Sequence, residues 1–425
     1  MDSTSAPMPV AAAVPQARVS RRAYLTCALV GLGGLFSGVT GPLLSTYVPI
    51  LVRDALGDHR AAIGAVMAID NVLLLLLVPW AGILSDRASN RGASRLPLVI
   101  AGYVLAAAGM AMFPMVASLG LVGVVGAIVV LYGGLNIQRS PFQAMMADLI
   151  PSRQRSMATA SVMFQMCVGA IVFLMLGRML GMRTAFLIAS ITVLAIAAVF
   201  AMTLRESGQS ETQATEATLR GMVDAAAAAV RGAIPGLRAI FLSTLLLQTV
   251  FQAFSTWFAL HGTERFGVTP EDVTIGFIAW AVGGVFGALP AGFIGVRIGR
   301  RKAMLVGFLL MACCFVALDR VSTLSQAIPL LMLASASWTF PSVNAYPLFI
   351  EQIPRRSRGV LAALYLLCMA LGGAIGDPLN GTIFDLVNGY RPLFLVMAVY
   401  TTLAFITVLL IPRGTGEAGT GPDAA

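Results

Sequence analysis

The stretch Gly82-Ile83-Leu84-Ser85-Asp86-Arg87, running on to Arg91 and Arg95, returns later in the chain as Gly292-Phe293-Ile294-Gly295-Val296-Arg297-Ile298-Gly299-Arg300-Arg301-Lys302. A second pair repeats at nearly the same offset. Asp148-Leu149-Ile150-Pro151-Ser152-Arg153-Gln154-Arg155 reappears as Glu351-Gln352-Ile353-Pro354-Arg355-Arg356-Ser357-Arg358, with the acid, the proline and both arginines in register. Each copy falls where one long apolar run ends and the next begins. The chain therefore reads as two homologous sets of apolar helices joined by basic connections, facing each other across a central path.

Composition agrees. Hydrophobic residues make up 58% of the chain and charged residues 11%, a balance that needs lipid rather than water around it. The surplus of 28 Lys and Arg over 19 Asp and Glu lies in short loops between apolar runs, so the partner is a lipid bilayer and not nucleic acid. Cys27, Cys167, Cys313, Cys314 and Cys368 all sit inside apolar runs and read as small buried hydrophobes. His59 and His261 stand apart with no ligand company, so no metal and no cofactor are expected.

A membrane-crossing helix takes about 20 mostly apolar residues. That ruler places spans at 24–50, 62–84, 97–117, 121–146, 157–179, 184–204, 238–261, 273–295, 303–319, 324–348, 359–377 and 392–412. The fold class is an all-α membrane protein of twelve transmembrane helices in two six-helix bundles. Its predicted parts are a tail at 1–22, a first bundle at 23–204, a linker at 205–237, a second bundle at 238–412 and a tail at 413–425. The linker opens on the polar run Glu206 to Glu216 and continues as the Ala-rich stretch Met222 to Ala233, a candidate surface helix. With the amino terminus inside, twenty of the basic residues fall on the cytoplasmic side and seven outside, and Arg139 stays within a span. Both termini are then cytoplasmic by the positive-inside rule.

With those loops in place the chain resembles the major facilitator superfamily. The loop between spans two and three of that superfamily has the form Gly-x-x-x-Asp-Arg-x-Gly-Arg-Arg, and Gly292 to Arg301 follows it with Val296 in place of the acid. Ile69-Asp70-Asn71, the longer loop ending at Arg91 and Arg95, and Asn136-Ile137-Gln138-Arg139-Ser140-Pro141 through Ala147-Asp148-Leu149 are similar to the glycoside and sucrose cation-symporter branch. The resemblance implies a multi-pass secondary transporter of the cytoplasmic (inner) membrane. Such a protein works by alternating access as a monomer, couples to protons and carries a small molecule, with a sugar or glycoside as the branch's cargo. It further implies a gating role for Gly82, Asp86, Arg87, Arg91, Arg95, Asp148 and Arg155, and in the second half for Gly292, Arg297, Gly299, Arg300, Arg301, Glu351 and Arg358. Physically, an acid at one helix end beside arginines of the next can latch helices together in one state and release them in another. A drug or metabolite exporter, a uniporter, and a non-transporting receptor or assembly factor on the same fold are the alternatives. No nucleophile, base and orienting group occur together and no phosphate-cradling loop is present, so an enzyme is not expected.

Ionisable side chains inside spans point to function. Asp70 precedes Asp86 by sixteen residues, about 24 Å of helix, and Arg139 precedes Asp148 by nine, about 13 Å. Asp70 can titrate and is the candidate for proton coupling, whereas Arg139 keeps its charge and suits an anionic substrate group. The competing reading is a structural Asp70 to Arg139 pair. In the second half the position equivalent to Arg139 is the uncharged Ser342. Asn71, Asn136, Gln143, Gln248, Gln252 and Asn344 are candidate substrate-binding residues, with Gln165 as a further polar group, and Trp257, Trp280 and Trp338 could stack on a ring. Gln248 and Gln252, four apart, share a helix face. Asp377, followed by Pro378, reads as a helix-end residue at the outer mouth rather than as a second proton site.

Overall fold

The computed structural model describes residues 21–116, 119–150, 154–204, 236–351 and 358–411, and all of its regular elements are helices. The predicted linker and both tails lie outside the described residues, as do Pro151, Arg153 and residues 352–357. The twelve described helices are α1 (Arg21–Leu56), α2 (Arg60–Met67), α3 (Ile69–Asn90), α4 (Leu96–Val116), α5 (Gly120–Leu149), α6 (Arg155–Thr203), α7 (Leu237–Arg265), α8 (Pro270–Ile298), α9 (Arg300–Asp319), α10 (Leu324–Glu351), α11 (Arg358–Leu386) and α12 (Leu393–Leu409).

Two of these elements depart from one helix per span. α2 and α3 are nearly continuous, since the Ala68 amide donates to Gly64 and the Val72 amide to the Ala68 carbonyl. Together they make one crossing. α6 makes two, because Gly181 adopts φ 76° and ψ 166° in its middle, backbone angles open to glycine and costly for other residues. By length and composition alone, eight segments are apolar enough to cross a membrane. Large apolar side chains such as Leu76, Phe164, Phe286 and Phe293 face outward, where lipid can solvate them.

Helices α1 to α6 pack as one half, with α1 on α6 and both α3 and α4 on α5. In the other half α8 and α9 pack on α10, and α7 packs on α11 and α12. Each half has an aromatic interior. Phe36 stacks on Tyr103 at 4.1 Å between ring centres in the first, and Phe254 stacks on Trp280 at 4.2 Å in the second. The alternation of the helices puts the α3–α4, α5–α6 and α8–α9 connections at one end of the molecule, here the basic end. The α1–α2, α7–α8, α9–α10 and α11–α12 connections lie at the far end.

Among the described residues, the hydrogen bonds and ion pairs that join the two halves sit toward the far end. The Asp385 carboxylate, from the end of α11, accepts from the backbone N–H groups of Arg60 and Ala61 at 2.9 and 2.8 Å. These are free donors at the first turn of α2, so a carboxylate from one half caps a helix of the other and meets its positive end. The buried Arg60 guanidinium donates to Asn388 at 3.2 Å and lies over the Tyr390 ring. Arg178 pairs with Asp272 at 3.1 Å, and the Ser45 and Ser255 hydroxyls meet at 2.6 Å. Glycines bring the backbones together: a Cβ on Gly64 would run into the Asp377 carbonyl, and one on Gly381 into that of Arg60.

Candidate transport site

Asp70 is the second residue of α3, just past the α2–α3 junction, and is half-buried. Its Oδ1 accepts from Asn136 Nδ2 at 3.3 Å, and the same amide donates to the Tyr132 carbonyl at 2.9 Å. One turn along α5, Arg139 is exposed, and its charge acts on Asp70 although the two form no ion pair. Gln143 is exposed a further turn toward the basic end. Spacing of three and four residues puts Asn136, Arg139 and Gln143 along one face of α5.

The other half presents a carboxyl of its own, which corrects one expectation: Asp377 is not at a helix end. α11 runs on to Leu386, and Asp377 is 0% exposed within it. Pro378 does not end the helix, because packed neighbours in a membrane protein can satisfy the backbone groups that a proline frees. Gln252 Nε2 donates to Asp377 Oδ2 at 3.0 Å, while Oδ1 is buried without a hydrogen bond of good geometry. The buried Trp257 indole N–H stands near this carboxyl, also without one. The Asp70 and Asp377 charges act on each other, and Tyr132, buried on α5, feels both.

Between these carboxyls lies Asn71, buried where a Cβ on Gly373 of α11 would meet it. Its Nδ2 has no partner. Gln248 packs on Gly372 of the same helix. Asn71, Gln248 and Gln252 thus converge on the stretch Gly372 to Asp377. Asn344 does not join them. Its amide donates to the Ala291 carbonyl at 3.1 Å and the Phe340 carbonyl at 2.9 Å, which clasps α8 against α10. Gln165 is likewise engaged with the Ala28 carbonyl, at 2.9 Å, holding α6 to α1. Trp338 is half-buried, stacked on Phe251 at 5.3 Å and 6.5 Å from Trp280. Trp257 instead packs edge-on to Phe384.

At the basic end, Arg95 opens α4 and pairs with Asp86 of α3 at 3.3 Å and with Asp148 of α5. Its side chain is 5% exposed, Asp148 is 12% and Asp86 is 40%. The charge network therefore ties three helices of one half. Arg87 and Arg91 are exposed, and Gly82 lies against Ser140 of α5. The second copy is built differently. Val296, in the acid's place, is 80% exposed, Arg297 lies over the Phe293 ring at 4.3 Å, and Gly299 has φ 91°. A Cβ on Gly292 would stand at ordinary contact distance from Val343, Arg301 donates to the Val408 and Leu409 carbonyls at the end of α12, and Arg300 opens α9. The side chains of Arg155, Glu351 and Arg358 lie outside the described set. Asp385 is the residue the sequence reading missed, and Asp377 the one it misplaced. The signal for Asp377 was present, an acid inside an apolar run.

Comparison with known proteins settles the family. The Major Facilitator Superfamily model matches residues 30–279 and 240–424. The chain belongs to the major facilitator superfamily. That fold has twelve transmembrane helices, so α10, α11 and α12 are spans as well, and the protein is a multi-pass membrane transporter rather than an enzyme. Among similar proteins is the class E tetracycline resistance protein of Escherichia coli, 23% identical over 88% of this chain and 91% of its own. The galactose-proton symporter of Escherichia coli K12 is 27% identical over 31% of this chain and 28% of its own. A bacterial homologue of the human lysosomal transporter Spinster, solved in an inward-facing occupied conformation, superposes with a TM-score of 0.74 at 15% identity. That match covers 92% of this chain and 96% of the other. The resemblance to the glycoside and sucrose branch has no counterpart among these three.

Proposed function

We propose that this superfamily member is a proton-coupled secondary transporter of a small organic molecule in the cytoplasmic membrane, working by alternating access between bundles 23–204 and 238–412. The basic end and both termini face the cytoplasm on this reading. The observation that carries it is Asp70, a carboxyl at the meeting of the two halves that Asn136 holds and that lies within reach of the Arg139 charge. A carboxyl can take up and release a proton, and an arginine keeps its charge. Asp70 then carries the proton, while Arg139 anchors an acidic or carbonyl-rich part of the cargo. Asn71, Asn136, Gln143, Gln248 and Gln252 supply further hydrogen bonds.

Two observations support a ring-bearing cargo moved in exchange for protons. Phe251, Trp338 and Trp280 form an aromatic wall in the second half, and planar rings stack on such walls. The likeness to a tetracycline resistance protein spans most of both chains. Sugar symport is the second reading, supported by the shorter likeness to a galactose-proton symporter. Purified protein in proteoliposomes under an imposed pH gradient tests both, with a pH-sensitive dye reporting proton flux on addition of tetracyclines or of hexoses and glycosides. Flux that depends on one cargo class and is lost in Asp70→Asn is expected. Cargo-driven proton flux that persists in Asp70→Asn would refute the assignment.

A further inference from the structure

Among the described residues, Asp377 carries a wholly buried carboxyl that the proposed function does not use. It is sealed, and what seals it is the contact between the halves. α11 meets α2 more extensively than any other cross-half pair of helices. The Asp377 backbone carbonyl sits where a side chain on Gly64 would be, and α2 is held in place by the Asp385 cap one helical stretch farther on. Alternating access requires this seam to part, because it closes the far end. When it parts, Asp377 meets far-end water. When it closes, Asp377 is cut off and faces the first half.

The groups facing it are few. From α3 comes Asp70; from α5 come Tyr132 and, beyond Asp70, the Arg139 cation. α7 contributes Gln252, Thr256 and Trp257, all neutral. Arg60 of α2 is turned the other way, to Asp58, Asn388 and Tyr390. Gln252 donates to Oδ2, and Thr256 and Trp257 stand beside the carboxyl, although Oδ1 has no hydrogen bond of good geometry. Closing the seam thus brings two carboxyl groups together with one cation, and that cation lies on the Asp70 side. Two negative charges in a dry interior repel, so closure and protonation must be linked.

We propose that Asp377 is a second proton-binding group of the transport cycle, open to the far side when the seam parts and sealed beside the helix that carries Asp70 and Asn71 when it closes. The inference rests on the proton-coupled reading and adds a second site. A proton from far-side water binds Asp377 and stays there as the seam closes, offsetting the repulsion from Asp70, whose own proton leaves toward the basic end. No other reactant is consumed.

The test reads conformation and needs no cargo. Spin labels at Leu119→Cys and Ser322→Cys, on the full chain in nanodiscs with the five native cysteines replaced, report the separation of the halves at the far end. Both positions lie in far-end connections and are exposed. From acidic to alkaline pH the separated population is expected to rise by about threefold or more. Asp377→Asn should abolish the rise and stay closed, and Asp377→Glu should restore it. A full rise in Asp377→Asn together with its loss in Asp70→Asn overturns the proposal and leaves Asp70 as the one proton site. A wild-type protein with no pH response overturns both this proposal and the proton-coupled reading. Gln252→Leu guards against a misfolded Asn variant: it removes the donor to Asp377 and should move the midpoint of the response, and an unmoved midpoint counts against Asp377.

Discussion

The Asp86, Arg95 and Asp148 network carries a prediction about unequal partners. Arg95 is almost wholly buried, yet its two carboxylates differ: Asp148 is 12% exposed and Asp86 is 40%. Water screens the Asp86 pair, and exposed pairs of this kind are worth about 0.5 kcal/mol. Removing one member of a buried pair strands the other and costs about 3 kcal/mol. Arg95→Gln and Asp148→Asn should therefore each lower stability by about 2 to 3 kcal/mol, and Asp86→Asn by about 0.5 kcal/mol. Double-variant cycles should give a coupling of about 2 kcal/mol for Arg95 with Asp148 and a few tenths for Arg95 with Asp86. Only the smaller coupling should fade with added salt. Unfolding in detergent micelles by SDS titration, followed by tryptophan fluorescence, measures all of these. Equal losses for Asp86→Asn and Asp148→Asn would sink the reasoning, because they would show that exposure does not set the strength of the two arms.

Other outcomes follow from the far end, the α8–α10 contact and the orientation. Asp385→Ala removes a helix cap supplied across the halves and should weaken far-end closure by about 1 kcal/mol. Spin-label distances at 119 and 322 would show about a fivefold larger separated population. Asn344→Ala should cost about 1 to 2 kcal/mol of stability, read as a lower SDS midpoint, because two carbonyls lose their donor. Its effect on cargo affinity should be small. A Ser322→Cys protein should react with a membrane-impermeant maleimide in intact cells, and an Arg91→Cys protein only after permeabilisation; the reverse pattern would invert the proposed orientation.

The helices were legible because lipid imposes a simple rule: long apolar runs bounded by charge. The repeated loops at Gly82 and Gly292 then divided the runs into halves. What escaped depended on contacts between helices far apart in sequence. Asp377 was placed at a mouth because Pro378 read as a stop, and only packing against α2 and α7 shows that the helix goes on. Asp385 drew no notice, since a cap for α2 contributed from 325 residues away has no local signature. Asn344 had the right chemistry for a substrate site, yet Gly295 lets α8 come so close that the amide is taken up by backbone carbonyls.

The two copies of the loop show why the halves need not behave alike. In the first, Asp86 gives Arg95 a carboxylate on α3 to match the one on α5, so three helices are bound through one cation. In the second, Val296 supplies no carboxylate; Arg297 lies over the Phe293 ring and Arg301 reaches across to the last carbonyls of α12. Asn344 and the glycine-lined contact join α8 to α10 nearer the middle of the membrane. The first half is thus braced by charge at its basic end, where water and salt can reach Asp86. Among its described contacts the second half has a buried amide that neither can reach, so added salt should act on the Asp86 arm and leave the Asn344 clasp unmoved.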